Sequence, residues 1–160
     1  MTDIARGRWT HDHKGTLTVF VIGMRINRWL RPDAWAPVVA AMGPMISELS
    51  RDRSSGFLGG EVSLAWRGPM MIQYWRSPED LYRYATEQDA THRPAWTAFN
   101  ERARRLPGAV GVWHETYQVS RAETVYSDMP PTGLAAATAA VRVSRRMDRA
   151  ETRMAAADPS

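Results

Sequence analysis

A chain of 160 residues, 44% apolar and 24% charged, is long enough for one globular domain with a sizeable core. It holds no cysteine, which excludes disulfides, zinc–thiolate sites and a thiol nucleophile. The net charge of +4 rests on 21 basic residues, all but Lys14 being arginine, and they are scattered and accompany no reader motif, so nucleic acid is not an expected partner.

No apolar run approaches the length of a membrane span, and the N-terminus lacks the apolar core of a signal peptide. The expectation is a cytoplasmic protein with no membrane partner. Residues 1–15 read as a polar arm. Its His11-Asp12-His13 triplet would place both histidines on one face of a strand, two metal donors lacking a third.

Thr16 to Asn27 alternates as a strand. Phe20, Ile22, Met24 and Ile26 make an apolar face suited to a helix layer, and Val19, Val21, Gly23, Arg25 and Asn27 make the other. Pro32 to Asp52 carries Trp35, Val38, Val39, Met42, Ile46 and Leu49 at helical spacing, with a kink expected at Gly43-Pro44. Phe57 to Trp66 is a strand with a bulge expected at Gly59-Gly60, and Arg67-Gly68-Pro69 turns it into a hairpin with Met70 to Trp75.

Ser77, Pro78 and Asp80 supply a helix cap, a first-position proline and a capping-box acid. Leu81, Tyr84 and Ala85 mark one face of that helix. Pro94 interrupts the pattern and starts a second segment with the stripe Trp96, Phe99, Ala103 and Leu106, so His92 lies at the break. Ala109 to Val119 is the fourth strand. Val110, Val112, His114 and Thr116 make one face and Gly111, Trp113, Glu115 and Tyr117 the other. The valine face is expected under the helices, with Trp113, Glu115 and Tyr117 on the side of Arg25, and the reverse assignment stays open. Thr124 to Leu134 is irregular, and the Ala- and Arg-rich remainder reads as helical to about Met154.

Strand, helix, strand, strand, helix, strand is the α+β ferredoxin-like order βαββαβ, here with a C-terminal helical extension. The domain spans residues 16–134, and residues 135–160 form a helix and tail that the core can spare. Helices on one face alone leave the other apolar and bare, which predicts a homodimer whose two sheets close into an α/β barrel. On this reading the barrel interior holds Arg25, Asn27, Gln73, Trp75, Trp113, Glu115 and Tyr117. Aromatic walls with a few convergent polar groups suit a small-molecule site.

The stretches GMRIN (23–27), QYWRS (73–77), HRPAW (92–96), GVWHETY (111–117) and VYSDMPPTGL (125–134) resemble one bacterial family. It is classed with a fungal monooxygenase of fumagillin biosynthesis, in the dimeric α/β-barrel superfamily of antibiotic-biosynthesis monooxygenases, haem-degrading oxygenases and aldoxime dehydratases. The resemblance runs from about Arg8 to Leu134 and implies oxygenase chemistry. Haem-degrading members pair a lumen tryptophan with a histidine on the second helix. Trp75 matches the first by its place in YWRS, and His92, at a longer spacing, is the candidate for the second. A histidine near a helix N-terminus also favours the neutral, metal-binding imidazole.

Two versions of the chemistry follow. In one, haem binds with His92 on the iron, Trp75 against the macrocycle, and Arg25 pairing a propionate or polarising oxygen. In the other there is no cofactor: His92 or His114 takes a proton from a small aromatic or enolisable substrate, and Arg25 and Asn27 hold the oxyanion. Glu115 stands with these catalytic candidates, and Gln73, Trp113 and Tyr117 form the substrate wall. From another class comes the alternative of a non-catalytic, ligand-binding or regulatory barrel, which needs the aromatics and not the histidines.

Overall fold

Ten alternating residues, Leu17–Ile26, form the strand that both halves of the fold share. The computed structural model describes residues 3–52, 54–65, 67–87 and 92–156, with the side chains of Met45 and of residues 92–96 outside that description. Its elements are β1 (Ala5–His11), β2 (Leu17–Ile26), α1 (Pro32–Arg51), β3 (Phe57–Ala65), β4 (Gly68–Trp75), α2 (Pro78–Thr86) and α3 (His92–Arg105). They continue with β5 (Val110–Val119), β6 (Tyr126–Met129), α4 (Gly133–Ala137), β7 (Ala140–Arg142), a 3₁₀ turn at Arg145–Met147 and α5 (Ala150–Ala156).

An antiparallel sheet in the order β3-β4-β2-β5 carries the expected ferredoxin-like connection. Register divides the side chains between two faces. Thr18, Phe20, Ile22 and Met24 lie opposite Trp75, Gln73 and Met71 of β4 and opposite His114 and Val112 of β5. Val19, Val21, Gly23 and Arg25 share the other face with Tyr74, Ile72 and Met70, and with Tyr117, Glu115 and Trp113. The three long helices cover the first face. Leu49, Trp75 and Leu81 are buried together there, with Phe20, Phe57 and Tyr84 packed against them.

Local signals hold at most boundaries. The bulge appears as a register shift between Phe57 and Gly59. The Ser77 hydroxyl accepts from the Asp80 N–H at 3.1 Å and caps α2. Asp80 does not reach back as a capping-box acid; its carboxylate meets Arg76 at 3.1 Å and also Arg83. Helix α1 is continuous across Pro44.

The ends of the chain depart from expectation. Residues 5–11 are the middle strand of a second sheet, β6-β1-β7, because β1 has two open edges and both find partners. The C-terminal extension carries helix as expected, in two short pieces with a strand between. There the free edge of β1 outweighs the helix preference of an Ala- and Arg-rich segment. Trp9 lies opposite Arg142, whose guanidinium sits 4.9 Å from the indole centroid. The histidines of the arm turn to separate partners: His11 Nδ1 meets the Thr124 hydroxyl at 2.9 Å, and His13 Nε2 the Thr16 carbonyl at 3.0 Å. Among the described residues no three His, Asp or Glu side chains could hold a metal ion.

The terminal unit is anchored to the main sheet and to itself. Glu61 of β3 accepts from the Thr132 hydroxyl and from the Gly133 N–H at 2.6 Å, and Leu134 and Ala135 are buried beside it. Arg153 is only 5% exposed, yet its guanidinium meets Glu123 at 2.5 and 2.6 Å and the carbonyls of Met147 and Asp148 at 2.8 Å. The tail thus pairs with β1 through β7 and with Glu123 through Arg153, and the expectation that the core can spare it is tested by removing one of these ties. Arg153→Ala strands a half-buried carboxylate and two carbonyls, and should cost about 3 kcal/mol in a chemical melt. A loss below about 0.5 kcal/mol would mean that the tail contributes nothing to the fold.

Candidate functional site

The period of two in β4 and the helical period of α1 and α2 bring their side chains to one partly open space. Between the covered sheet face and the helices lies a cavity of about 370 Å³. Phe20, Ile22 and Met24 of β2, Met71 of β4 and Val112 of β5 form its floor. Val38, Met42, Ile46 and Leu49 of α1, Leu81 and Tyr84 of α2, and Phe99 of α3 form its roof. Among the described lining side chains, the hydrogen-bonding groups are the Gln73 amide and the Tyr84 phenol; the rest are aliphatic, phenyl or thioether.

Gln73 is held by its own strand. Met71, Gln73 and Trp75 alternate onto the same face, and Trp75 is fully buried. The indole N–H is a donor only, so the amide must turn its oxygen to it, at 3.0 Å from Nε1 to Oε1. The amide nitrogen then lies 3.3 Å from the Met71 sulfur, a weak acceptor that uses one of its two protons. A second N–H remains on a group that borders the cavity. Trp75 is itself wedged edge-on to Phe57 at 5.3 Å and tilted against Tyr84 at 5.6 Å. Burial pushes the Tyr84 phenol up to about 12, so it stays neutral across the ordinary pH range.

His114 occupies the same sheet face as Val112, one pleat further along β5, and is exposed beyond the residues that line the cavity. Its ring lies 5.6 Å from that of Phe20, which forms the cavity floor. His92 opens α3, and its side chain lies outside the described residues.

The expected mixed lumen does not exist as one group. Gln73 lies opposite Phe20, and Trp75 opposite Thr18, so both sit under the helices. Arg25, Trp113, Glu115 and Tyr117 occupy the reverse face. Grouping them amounted to a slip of one residue along β4, which reverses every side chain on a pleated strand. On the reverse face Arg25 Nε donates to Asn27 Oδ1 at 3.0 Å. The Tyr117 hydroxyl donates to Glu115, a bond that holds the phenol above its usual range. Trp113 lies flat across Gly23, where a Cβ would stand 2.6 Å from the indole.

The sequence reading left out Tyr84 and the α1 residues as site residues, though it placed Leu81 and Tyr84 on one helical face. That spacing signals burial and does not separate a cavity wall from a packed core. A haem would need an axial donor and cations for its propionates. Arg25 is on the wrong face for that, and the described cavity wall supplies no imidazole, guanidinium or ammonium. The described residues do not fit haem.

Residues 17–134 match the model of a family described as monooxygenase af470-like. No curated protein matches. Among solved structures, SnoaB, a cofactor-independent oxygenase from Streptomyces nogalater, is 13% identical, covering 68% of this chain and 97% of its own, with a TM-score of 0.43. A Shewanella oneidensis protein is 11% identical, covering 79% and 100%, with a TM-score of 0.46. A dimeric ferredoxin-like protein of unknown function from Jannaschia is 12% identical, covering 62% and 97%, with a TM-score of 0.41. These likenesses are remote and bring no activity to this chain.

The indole–amide pair makes its own prediction. Trp75→Phe leaves the Gln73 carbonyl buried without a donor and should cost about 2 kcal/mol in urea unfolding. Adding Gln73→Leu removes the stranded group and should recover part of that loss. Strictly additive losses would mean that the two side chains are not coupled.

Proposed function

The chain belongs to the monooxygenase af470-like family, and on that premise we propose that it oxygenates a small, apolar, phenol-like or enolisable substrate in the cavity beneath α1, without a prosthetic group. The observation that carries this reading is the Gln73 amide at a mostly apolar cavity, its oxygen held by Trp75 and one N–H used by neither Trp75 nor Met71. The mostly apolar wall admits a flat aromatic substrate and dioxygen, both apolar. The amide N–H meets the substrate oxygen and gains strength as that oxygen takes up negative charge, since little water competes for it.

The proton leaves an activated CH₂ of the substrate for His114, whose ring lies against Phe20 of the cavity floor. The carbanion gives electrons to dioxygen and a C–O bond forms. The second proton leaves as the O–O bond breaks and water departs. The CH₂ becomes a carbonyl, a four-electron oxidation that reduces one dioxygen fully, so no outside reductant is needed. His92, at the head of α3, is the second candidate for the base. The oxyanion role assigned from sequence to Arg25 and Asn27 passes to Gln73, because Arg25 stands on the opposite face with Asn27 hydrogen-bonded to it.

The reverse face has a different task in this reading. Trp113 and Tyr117 are exposed on it. A second copy would cover them, sheet against sheet, in a homodimer. Light scattering on a size-exclusion peak should give about twice the 18.0 kDa chain mass. Trp113→Arg should return it to one, and a wild-type monomer at micromolar concentration would refute the barrel.

Turnover is tested with a panel of neutral two- and three-ring phenols and enolisable ketones under ¹⁸O₂, without added metal or reductant. One ¹⁸O should enter the product carbonyl. Gln73→Leu and His114→Ala should each lower kcat about a hundredfold. Ligands that bind and emerge unoxidised would favour the non-catalytic barrel, and turnover that requires added haem would overturn the cofactor-free reading.

A further inference from the structure

Arginines that are far apart in sequence come together at one end of the main sheet. The Asn27 and Arg28 N–H groups donate to the Ala109 carbonyl at 2.9 and 3.2 Å, which joins the loop after β2 to the turn that follows α3. The Ile26 N–H donates to the Arg67 carbonyl at 2.7 Å, and the Arg67 guanidinium returns to the Ile26 carbonyl at 2.8 and 3.0 Å. This second tie brings in the β3–β4 hairpin. Arg28, Arg31, Arg104 and Arg105 are all exposed at this end.

Among these arginines stand apolar side chains that a free surface would not select. Leu30 is 95% exposed, Leu64 88% and Trp29 48%. Trp29 is held in place: its ring sits edge-on to Trp35 at 5.9 Å, and its carbonyl accepts from the Trp35 indole at 3.2 Å. Asp33 is occupied by Arg31 through two hydrogen bonds, at 2.9 and 2.7 Å. Among the described residues, Arg28, Arg104 and Arg105 have no carboxylate partner.

We propose that this end of the sheet, where Trp29, Leu30 and Leu64 stand among Arg28, Arg104 and Arg105, docks onto an anionic lipid bilayer. Each residue type does what such a surface requires. Tryptophan prefers the headgroup boundary, protruding leucines enter the acyl region, and arginines pair with lipid phosphates while their stems cover apolar surface. Nucleic acid would use the arginines and leave the two leucines in water. A second copy of the chain would have to bring like-charged arginines together. The contact is peripheral, and it revises the expectation of no membrane partner. It does not depend on what the cavity binds.

Flotation of the full chain with phosphatidylcholine vesicles, with and without phosphatidylglycerol, provides the test. Binding should require the anionic lipid and weaken as salt rises. Arg104→Glu with Arg105→Glu should lower it more than roughly tenfold. Trp29→Ser with Leu30→Ser should lower it similarly, with the far-UV spectrum and ligand binding in the cavity unchanged. Absence of binding at low salt would overturn the proposal, as would binding indifferent to Trp29 and Leu30. So would tighter binding to duplex DNA than to anionic vesicles, or an altered oligomer mass in the Trp29/Leu30 variant.

Discussion

A buried indole N–H must have an acceptor, and at Trp75 the partner is the side chain two residues back on the same strand. That one requirement settles the orientation of Gln73, since the amide can satisfy a donor only with its oxygen. It also settles what is left over. With its oxygen turned to the indole, the amide keeps one N–H that neither Trp75 nor Met71 uses, and Gln73 borders the cavity. A donor in a mostly apolar cavity favours neutral substrates that become anionic during reaction, which is the logic of an oxyanion site.

The same pleat governs the rest of the sheet. Thr18 to Gly23 of β2 each have one neighbour on β4 and one on β5, so a single register assigns their side chains to the helices or to the reverse face. The covered face became a cavity because its occupants are methionines, isoleucine and phenylalanine, set against a helix whose stripe is mostly medium-sized. The reverse face kept its large aromatics exposed, with Gly23 making room for Trp113. Two surfaces of different chemistry thus share one strand. One borders a ligand-sized space, and the other exposes Trp113 and Tyr117.

How much of this was legible beforehand differs by element. Alternation in β2 and β5 placed Phe20, Ile22 and Met24 under the helices and set His114 apart from Trp113 and Tyr117, and the register agrees on each. The error concerned β4, where Met71, Gln73 and Trp75 alternate with Met70, Ile72 and Tyr74, apolar or aromatic on both sides. Such a strand has no polarity contrast, and only pairing with Phe20 fixes its phase. The terminal sheet was illegible for another reason. The open edges of β1 are satisfied by β6 and β7, more than a hundred residues away, and no local pattern in an Ala- and Arg-rich tail announces a three-residue strand. The arginine-rich end of the sheet was hidden likewise, since three separate turns supply it.

The central claim is that ligands enter the space between sheet and helices and not the reverse face, and the methionines report on both. Methyl-labelled methionine spectra, titrated with a neutral three-ring phenol, separate the two faces. The account predicts that Met24, Met42 and Met71 shift with a common affinity while Met70, on the reverse face, stays in place. A shift at Met70, with Met24, Met42 and Met71 unmoved, would contradict it.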